Sequence, residues 1–215
     1  MKILVMGPPG AGKGSQSAKI VENYKMPSIS TGQMFREAFA NNDPVGIEAM
    51  KYIKQGNLVS DEITNELVKH RLQRTDTENS FILDGYPRTV VQAVALDKTL
   101  EEMGTKLDAV INILASNDVL FERMEARRVC RDCGASYHLI FKKPKQEGIC
   151  DKCGGELYQR IDDTLESVKR RLEIYETMTI PLLDYYNKKG ILYNVNGMQN
   201  FDKVYNDIDL VLRDL

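Results

Sequence analysis

The chain has 215 residues, enough to bury one substantial core with room for small insertions, and its 29 Lys and Arg against 31 Asp and Glu leave a formal charge of -2. That balance excludes the broad basic field of a general nucleic-acid binder, so any anion site has to be local. No apolar stretch approaches the roughly 20 residues of a membrane helix, and the N-terminal apolar run breaks at a glycine loop, so neither export nor membrane insertion is expected and the cytoplasm is the expected compartment.

Residues 2–6 read as a buried strand, and Lys13 to about Tyr24 reads as a helix. Between them, GPPGAGKGS at 7–15 sets Gly7, Gly12 and Lys13 on the phosphate-loop pattern G-x-x-x-x-G-K-[ST], except that Gly14 stands where the hydroxyl is expected and Ser15 follows it. After a strand, glycines let backbone N–H groups approach a phosphate, the helix N-terminus adds partial positive charge, and the lysine adds a full one. Gly10, Ala11, Gly12, Lys13, Gly14 and Ser15 are therefore candidates for holding nucleotide phosphates.

A short strand is expected at 28–30, and residues 30 to about 60 read as two helices separated by NNDPVG. FILD at 81–84, AVINIL at 109–114 and ILYNV at 191–195 read as further buried strands, with helices over 89–103, 117–128 and 164–178. This alternation predicts an α/β fold of the P-loop NTPase type: an open, parallel five-stranded sheet flanked by helices. Arg123 and Arg127, four apart on the helix expected at 117–128, would share a face and could reach one anionic ligand.

All four cysteines lie between 130 and 153 in two C-x-x-C pairs, Cys130 with Cys133 and Cys150 with Cys153, separated by 16 residues. In a reducing compartment this spacing reads as a structural four-thiolate zinc site with no open coordination position, and two disulfides are the weaker alternative. Glycines at 134, 148, 154 and 155 permit tight knuckle turns, and so small a patch has little apolar side chain of its own.

The loop form G-x-P-G-x-G-K-G-[ST]-Q resembles that of nucleoside monophosphate kinases, adenylate kinases above all. STGQMFR at 30–36, DGYPRT at 84–89, ERMEARR, YQRIDD and VKRRLE match the family's segments in order, so the resemblance runs the length of the chain and is closest to bacterial forms with a zinc-bearing lid. It implies reversible phosphoryl transfer, MgATP + AMP giving two ADP. It divides the chain into a core (1–29, 60–125 and 164–215), a helical acceptor-binding insertion (30–59) and a small β-rich lid (126–163). A monomer is implied, with ATP, AMP and ADP as its only partners.

The resemblance also assigns residues. Lys13, Arg88, Arg123, Arg127, Arg160 and Arg171 would be catalytic. Arg123, Arg127, Ser136, Tyr137 and Gln199 would join the loop around ATP, although Tyr137 reads equally well as a lid-core aromatic. Thr31, Arg36, Asn57, Leu58, Val59, Gly85, Tyr86, Pro87, Arg88, Gln92, Arg160 and Arg171 would bind AMP. Magnesium would be held mainly by ATP phosphates and water, with Asp84 anchoring one water; Asp84 also ends a strand, where ligands of open sheets collect, or else caps a turn. Asp162 and Asp163 would anchor hinge and lid. Gln33, Ser28, Ser60 and Ala126 depart from the family's usual aspartate, histidine, proline and glycine, and none of them is a phosphate ligand.

Two other readings have weaker support. TKLD at 105–108 and DKCG at 151–154 superficially match guanine-nucleotide switch motifs, but the first precedes its strand, the second lies in a cysteine knuckle, and Gly14 removes the hydroxyl a switch protein uses. A kinase for another nucleoside monophosphate is the nearer alternative, because a few contacts choose the base.

Overall fold

The computed structural model describes residues 1–215. In chain order, β1 (Lys2–Met6), α1 (Lys13–Tyr24) and β2 (Ser28–Ser30) lead to three helices, α2 (Thr31–Ala40), α3 (Pro44–Lys54) and α4 (Asp61–Leu72). Next come β3 (Phe81–Asp84), α5 (Val90–Glu102), β4 (Ala109–Leu114) and α6 (Asn117–Glu125), then three short strands, β5 (Arg127–Cys130), β6 (Ser136–His138) and β7 (Leu157–Tyr158). The chain closes with α7 (Leu165–Ile174), α8 (Pro181–Lys188), β8 (Leu192–Asn196) and α9 (Phe201–Arg213).

The main sheet is parallel throughout, in the order β2-β3-β1-β4-β8. Its central strands are apolar on both faces because helices cover both. Ile3, Val5, Ile82 and Ile111 pack with Ile20, Leu120 and Ile208 on one side. Leu4, Met6, Leu83 and Val110, the alternate residues of the same strands, pack with Val68, Leu96 and Tyr186 on the other. One polar pair crosses the sheet: buried Asn112 of β4 donates to Asn194 Oδ1 of β8 at 2.8 Å. The loops after β1 and β3 leave the same end of the sheet beside the point where strand order reverses, which is where open α/β sheets gather ligands.

Two smaller units have clusters of their own. Phe35, Ala49 and Val59 join α2 and α3 to the segment before α4, and Cys130, Tyr137, Cys150 and Leu157 form the centre of the antiparallel sheet β6-β5-β7.

Three boundaries differ from the sequence expectation. The helix expected over 117–128 stops at Glu125, and Arg127 opens β5 instead, opposite His138. Arg123 and Arg127 therefore do not share a helix face. Pairing of β5 with both β6 and β7 satisfies backbone groups that a longer helix would otherwise have carried. The helix expected over 164–178 is regular only to Ile174; residues 175–179 widen into a π-turn in which Ile180 N–H reaches Tyr175 O at 2.9 Å, just before Pro181, which has no N–H to give. The last strand lies one residue later than expected, at 192–196.

Candidate active site

The phosphate loop depends on its glycines. Gly7 has φ +136°, and a Cβ there would come 2.5 Å from Ile113 O, so only glycine lets the chain leave β1 across the end of β4. Gly12 caps α1 with no side-chain hydrogen bond, and the first helical turn holds no acidic residue, so nothing competes with an anion for the helix N-terminus. The Lys13 ammonium curls back over the loop and donates to Gly7 O and Pro8 O, each at 2.8 Å. Desolvation, assisted by Arg88, Arg171 and Arg127 and opposed by Asp84, lowers its pKa to about 7. Asp84 faces the loop from the end of β3: its Oδ2 lies 3.5 Å from where a Cβ on Gly14 would stand.

Beside Lys13 the structure collects arginines from five parts of the chain: Arg36 of α2, Arg88 after β3, Arg127 of β5, Arg160 after β7 and Arg171 of α7. Asp163 receives Arg127, through Nε at 2.8 Å and through a second, shorter Nη2 contact, and lies 3.5 Å from Arg171 Nη1. Asp162 receives Arg160 through Nε at 3.0 Å and Arg171 Nη1 at 3.0 Å. Both aspartates are almost fully buried, 4% and 3% exposed, which fixes the guanidinium planes. Despite its burial, Asp162 is held well below the usual carboxylate range by Arg160 and Arg171. Against the burial that would lower it, Asp162 and Asp163 hold Arg160 above its ordinary value.

The rest of the cluster is under-compensated. Burial, with Arg160 and Arg127 nearby, brings Arg36 down to about 10. Burial likewise lowers Arg171 to about 9 against the pull of Asp162, and lowers Arg88. Arg36, Arg88, Arg127, Arg160 and Arg171, with Lys13 as a sixth when it is protonated, outnumber three carboxylates, Asp84, Asp162 and Asp163. Such a centre attracts a polyanion.

A cleft lined by Gly7, Lys13, Leu58, Gly85, Arg88 and Arg171 opens from this cluster between the loops after β1 and β3, the Gly56–Leu58 turn and α7. Gly85 (φ +78°) and the cis Tyr86–Pro87 bond turn the chain so that Arg88 Nε donates to Gly85 O at 2.8 Å, where Thr31 Oγ1 also donates at 3.0 Å. Gly56 (φ +74°) passes so close to α7 that a Cβ would lie 2.7 Å from Ser167 O. That contact places Asn57, Leu58 and Val59 beside Arg171's helix, and Arg170 Nε adds a 3.0 Å bond to Asn57 Oδ1.

Not every expected residue joins the cluster. Arg123 Nη1 donates to Gly197 O at 3.0 Å, on the loop that also carries Gln199, whose amide donates to Asp207 at 2.6 Å. Tyr137 lies in the core of the small sheet, its hydroxyl accepting from Asp151 N–H at 2.8 Å, while Ser136 faces Val129 across β5. Three residues that the sequence did not single out help to shape the site. Asp61 accepts from the Gln92 amide at 2.7 Å, and Thr179 of the π-turn donates to Arg88 O at 2.9 Å. The third, His138 beside Arg123, accepts from Ile140 and Phe141 N–H at Nδ1, each at 3.1 Å, and keeps a buried Nε2 without a partner. Asp61 and Thr179 lie in helical turns where such residues ordinarily cap or face solvent, so only tertiary contact reveals them.

The cysteines converge as free thiols. Their four Sγ atoms lie within 4.8 Å of one another, with Cys130 to Cys153 at 3.5 Å and Cys133 to Cys150 at 3.6 Å. Tetrahedral Zn–S bonds of about 2.3 Å set an S···S edge of about 3.8 Å, so the donor set suits zinc in size and softness. The Tyr137 hydroxyl lies 3.5 Å from Cys150 Sγ and braces that ligand position from the core of the small sheet.

The comparisons with known proteins agree with this geometry. A family model described as Adenylate kinase matches residues 5–191. An adenylate kinase of Limosilactobacillus reuteri is 55% identical over 216 residues, covering 100% of both chains. One from Bacillus subtilis is 55% identical over 208 residues, 97% of this chain and 96% of the relative. One from Archaeoglobus fulgidus is 50% identical over 212 residues, 99% and 98% of the two chains.

Proposed function

Since the chain belongs to the adenylate kinase family and is a phosphotransferase that joins ATP and AMP to two ADP, we propose how its residues divide that work. ATP lies along the phosphate loop, with its γ-phosphate at the cationic cluster; AMP lies in the cleft between Arg88 and the Gly56–Val59 turn. The observation that carries this division is the excess of cations over three carboxylates where loop, cleft and small sheet meet.

The attacking oxygen belongs to a phosphate that is already ionised, so no general base is required. The protein's task is to hold two polyanions in line and to neutralise the charge that gathers as the phosphoryl group moves. Lys13 releases Gly7 O and Pro8 O to meet the donor phosphates. Arg36 and Arg88 hold the acceptor phosphate, while Arg127, Arg160 and Arg171, oriented by Asp162 and Asp163, span donor and acceptor. Arg123, Ser136, Tyr137 and Gln199 border the ATP, and Thr31 and Gln92 border the acceptor base. Asp84 would hold a water of the magnesium that accompanies ATP, an ion that would supply charge neutralisation at the phosphate oxygens.

We further read residues 30–59 and 126–163 as units that move against the core, Cys130, Cys133, Cys150 and Cys153 as ligands of one structural zinc, and the working protein as a cytoplasmic monomer. None of the helices is long and apolar enough to cross a membrane.

ADP formation from MgATP, measured with AMP, CMP, UMP and GMP in turn, tests the acceptor assignment: strong preference for AMP is expected. In the same assay Arg88→Ala, folded by circular dichroism, should lose about 10³-fold or more in turnover, the range for a guanidinium that compensates a transferring phosphoryl group. Preference for another monophosphate, or a fully active Arg88→Ala, would overturn the assignment.

A further inference from the structure

The amide of Gln92 cannot turn over freely. It is 2% exposed. Its Nε2 donates to Asp61 Oδ1 at 2.7 Å, and its Oε1 accepts the Arg88 backbone N–H at 2.7 Å. A carboxylate accepts and an N–H donates. Rotating the amide by 180° would therefore set oxygen against carboxylate and N–H against N–H, two mispairings at a largely buried site. Thr89 fixes Asp61 in turn: its hydroxyl lies 3.2 Å from each Asp61 oxygen and accepts Gln92 N–H at 3.1 Å.

We propose that Asp61 is a positioning residue for acceptor specificity: by locking the Gln92 amide in one orientation, it makes the pocket accept a 6-aminopurine and reject a 6-oxopurine. The proposal rests on the reading that Gln92 meets the acceptor base. With two of its hydrogen-bonding positions committed, the amide keeps one N–H and one carbonyl lone pair, in a fixed order. A 6-aminopurine edge presents a donor at the 6-position and an acceptor at N1; a 6-oxopurine edge presents the reverse. A free glutamine would serve both edges by flipping. A locked one serves the first and meets the second with like groups opposed, which is discrimination by repulsion as well as by attraction. Asp61 sits at the start of α4, outside the acceptor segments, and works only through Gln92.

The test compares kcat/KM for AMP and inosine monophosphate, two acceptors that differ at the 6-position and N1, with MgATP as donor, in the wild type, Asp61→Asn, Asp61→Glu, Thr89→Val and Gln92→Ala. Asparagine can turn either its carbonyl or its amino group to Gln92, so Asp61→Asn keeps a hydrogen bond but removes half of the lock. Its AMP-over-inosine-monophosphate ratio should fall about tenfold, the scale of one mispaired buried hydrogen bond, with KM for ATP unchanged. Asp61→Glu, still an acceptor only, should retain most of the preference. Thr89→Val removes the hydroxyl that fixes Asp61 and should lower the ratio in the same direction by less; a fall in Asp61→Glu equal to that of Asp61→Asn would assign the effect to general loosening and overturn the proposal. An unchanged ratio in Asp61→Asn, while Gln92→Ala changes it, would also overturn it. If Gln92→Ala itself leaves the ratio unchanged, the error lies in assigning Gln92 to the base.

Discussion

Lys13 shows how far a single residue could be read in advance. Its place in the loop was legible from spacing alone, since strand, glycines and lysine form a local pattern. Its resting state was not, because the carbonyls of Gly7 and Pro8 and the arginines that crowd it come from the folded surface. The consequence is a proton linkage. With a free-state pKa lowered to about 7, the lysine is largely neutral at pH 8, and a bound triphosphate must recharge it. Nucleotide binding at pH 8 should take up a fraction of a proton approaching one, and affinity should weaken as pH rises above about 7. Below that value the group is already charged and the uptake disappears. Calorimetric titrations in buffers of different ionisation enthalpy measure this directly, and heats that do not depend on the buffer at pH 8 would contradict it. Asp162 and Asp163 follow the same rule: their role as anchors that organise arginines was legible from the family resemblance, but which guanidinium each one holds, Arg160 and Arg171 on Asp162 and Arg127 on Asp163, was not.

At the level of elements, the chain is legible where the pattern is local and opaque where a partner decides. The strands of the main sheet stand within a residue of expectation because each is a short apolar run between breakers. Helix 117–128 was overextended because ERMEARR is helix-compatible, and only the pairing of β5 with β6 and β7 ends it at Glu125. The π-turn is equally invisible locally, although Pro181 marks its downstream end. Helix α4 has little amphipathic contrast and α8 is only eight residues long, so both are faint in the sequence, whereas α9, 13 residues with a pronounced apolar face, is legible there. The Gly56 turn follows the same rule, since nothing in QGNLV announces that α7 will lie against it. Gly56→Ala should cost about 1–3 kcal/mol, from the left-handed φ alone, with the 2.7 Å approach to Ser167 O added. Because the turn carries Asn57–Val59, KM for AMP should rise more than KM for ATP. Urea melts and two-substrate kinetics check both parts, and equal effects on the two KM values would detach this turn from the acceptor.

The whole molecule has two large apolar clusters, one on each face of the main sheet, and two small ones elsewhere. The cluster around Cys130, Tyr137, Cys150 and Leu157 is too small to hold its segment without the thiolate site. Removing zinc with a strong chelator should therefore loosen residues 126–163 while the main sheet persists. Hydrogen exchange should show protection lost first in β5–β7, with β1, β3 and β4 little changed. Equal protection with and without chelator would remove the metal from the account of stability.

Asn112 and Asn194 give the main sheet a ruler. A one-residue slip would turn every β8 side chain to the other face, and it would also set Tyr193 or Val195 opposite Asn112 and leave its buried amide without Asn194. One step is about 3.3 Å, and it would carry Gly197 and Gln199 with it, away from Arg123. The pair of buried Asn112 and exposed Asn194 thus calibrates the last strand against the centre of the sheet, so that a loop near the C-terminus arrives within bonding distance of Arg123, 74 residues earlier.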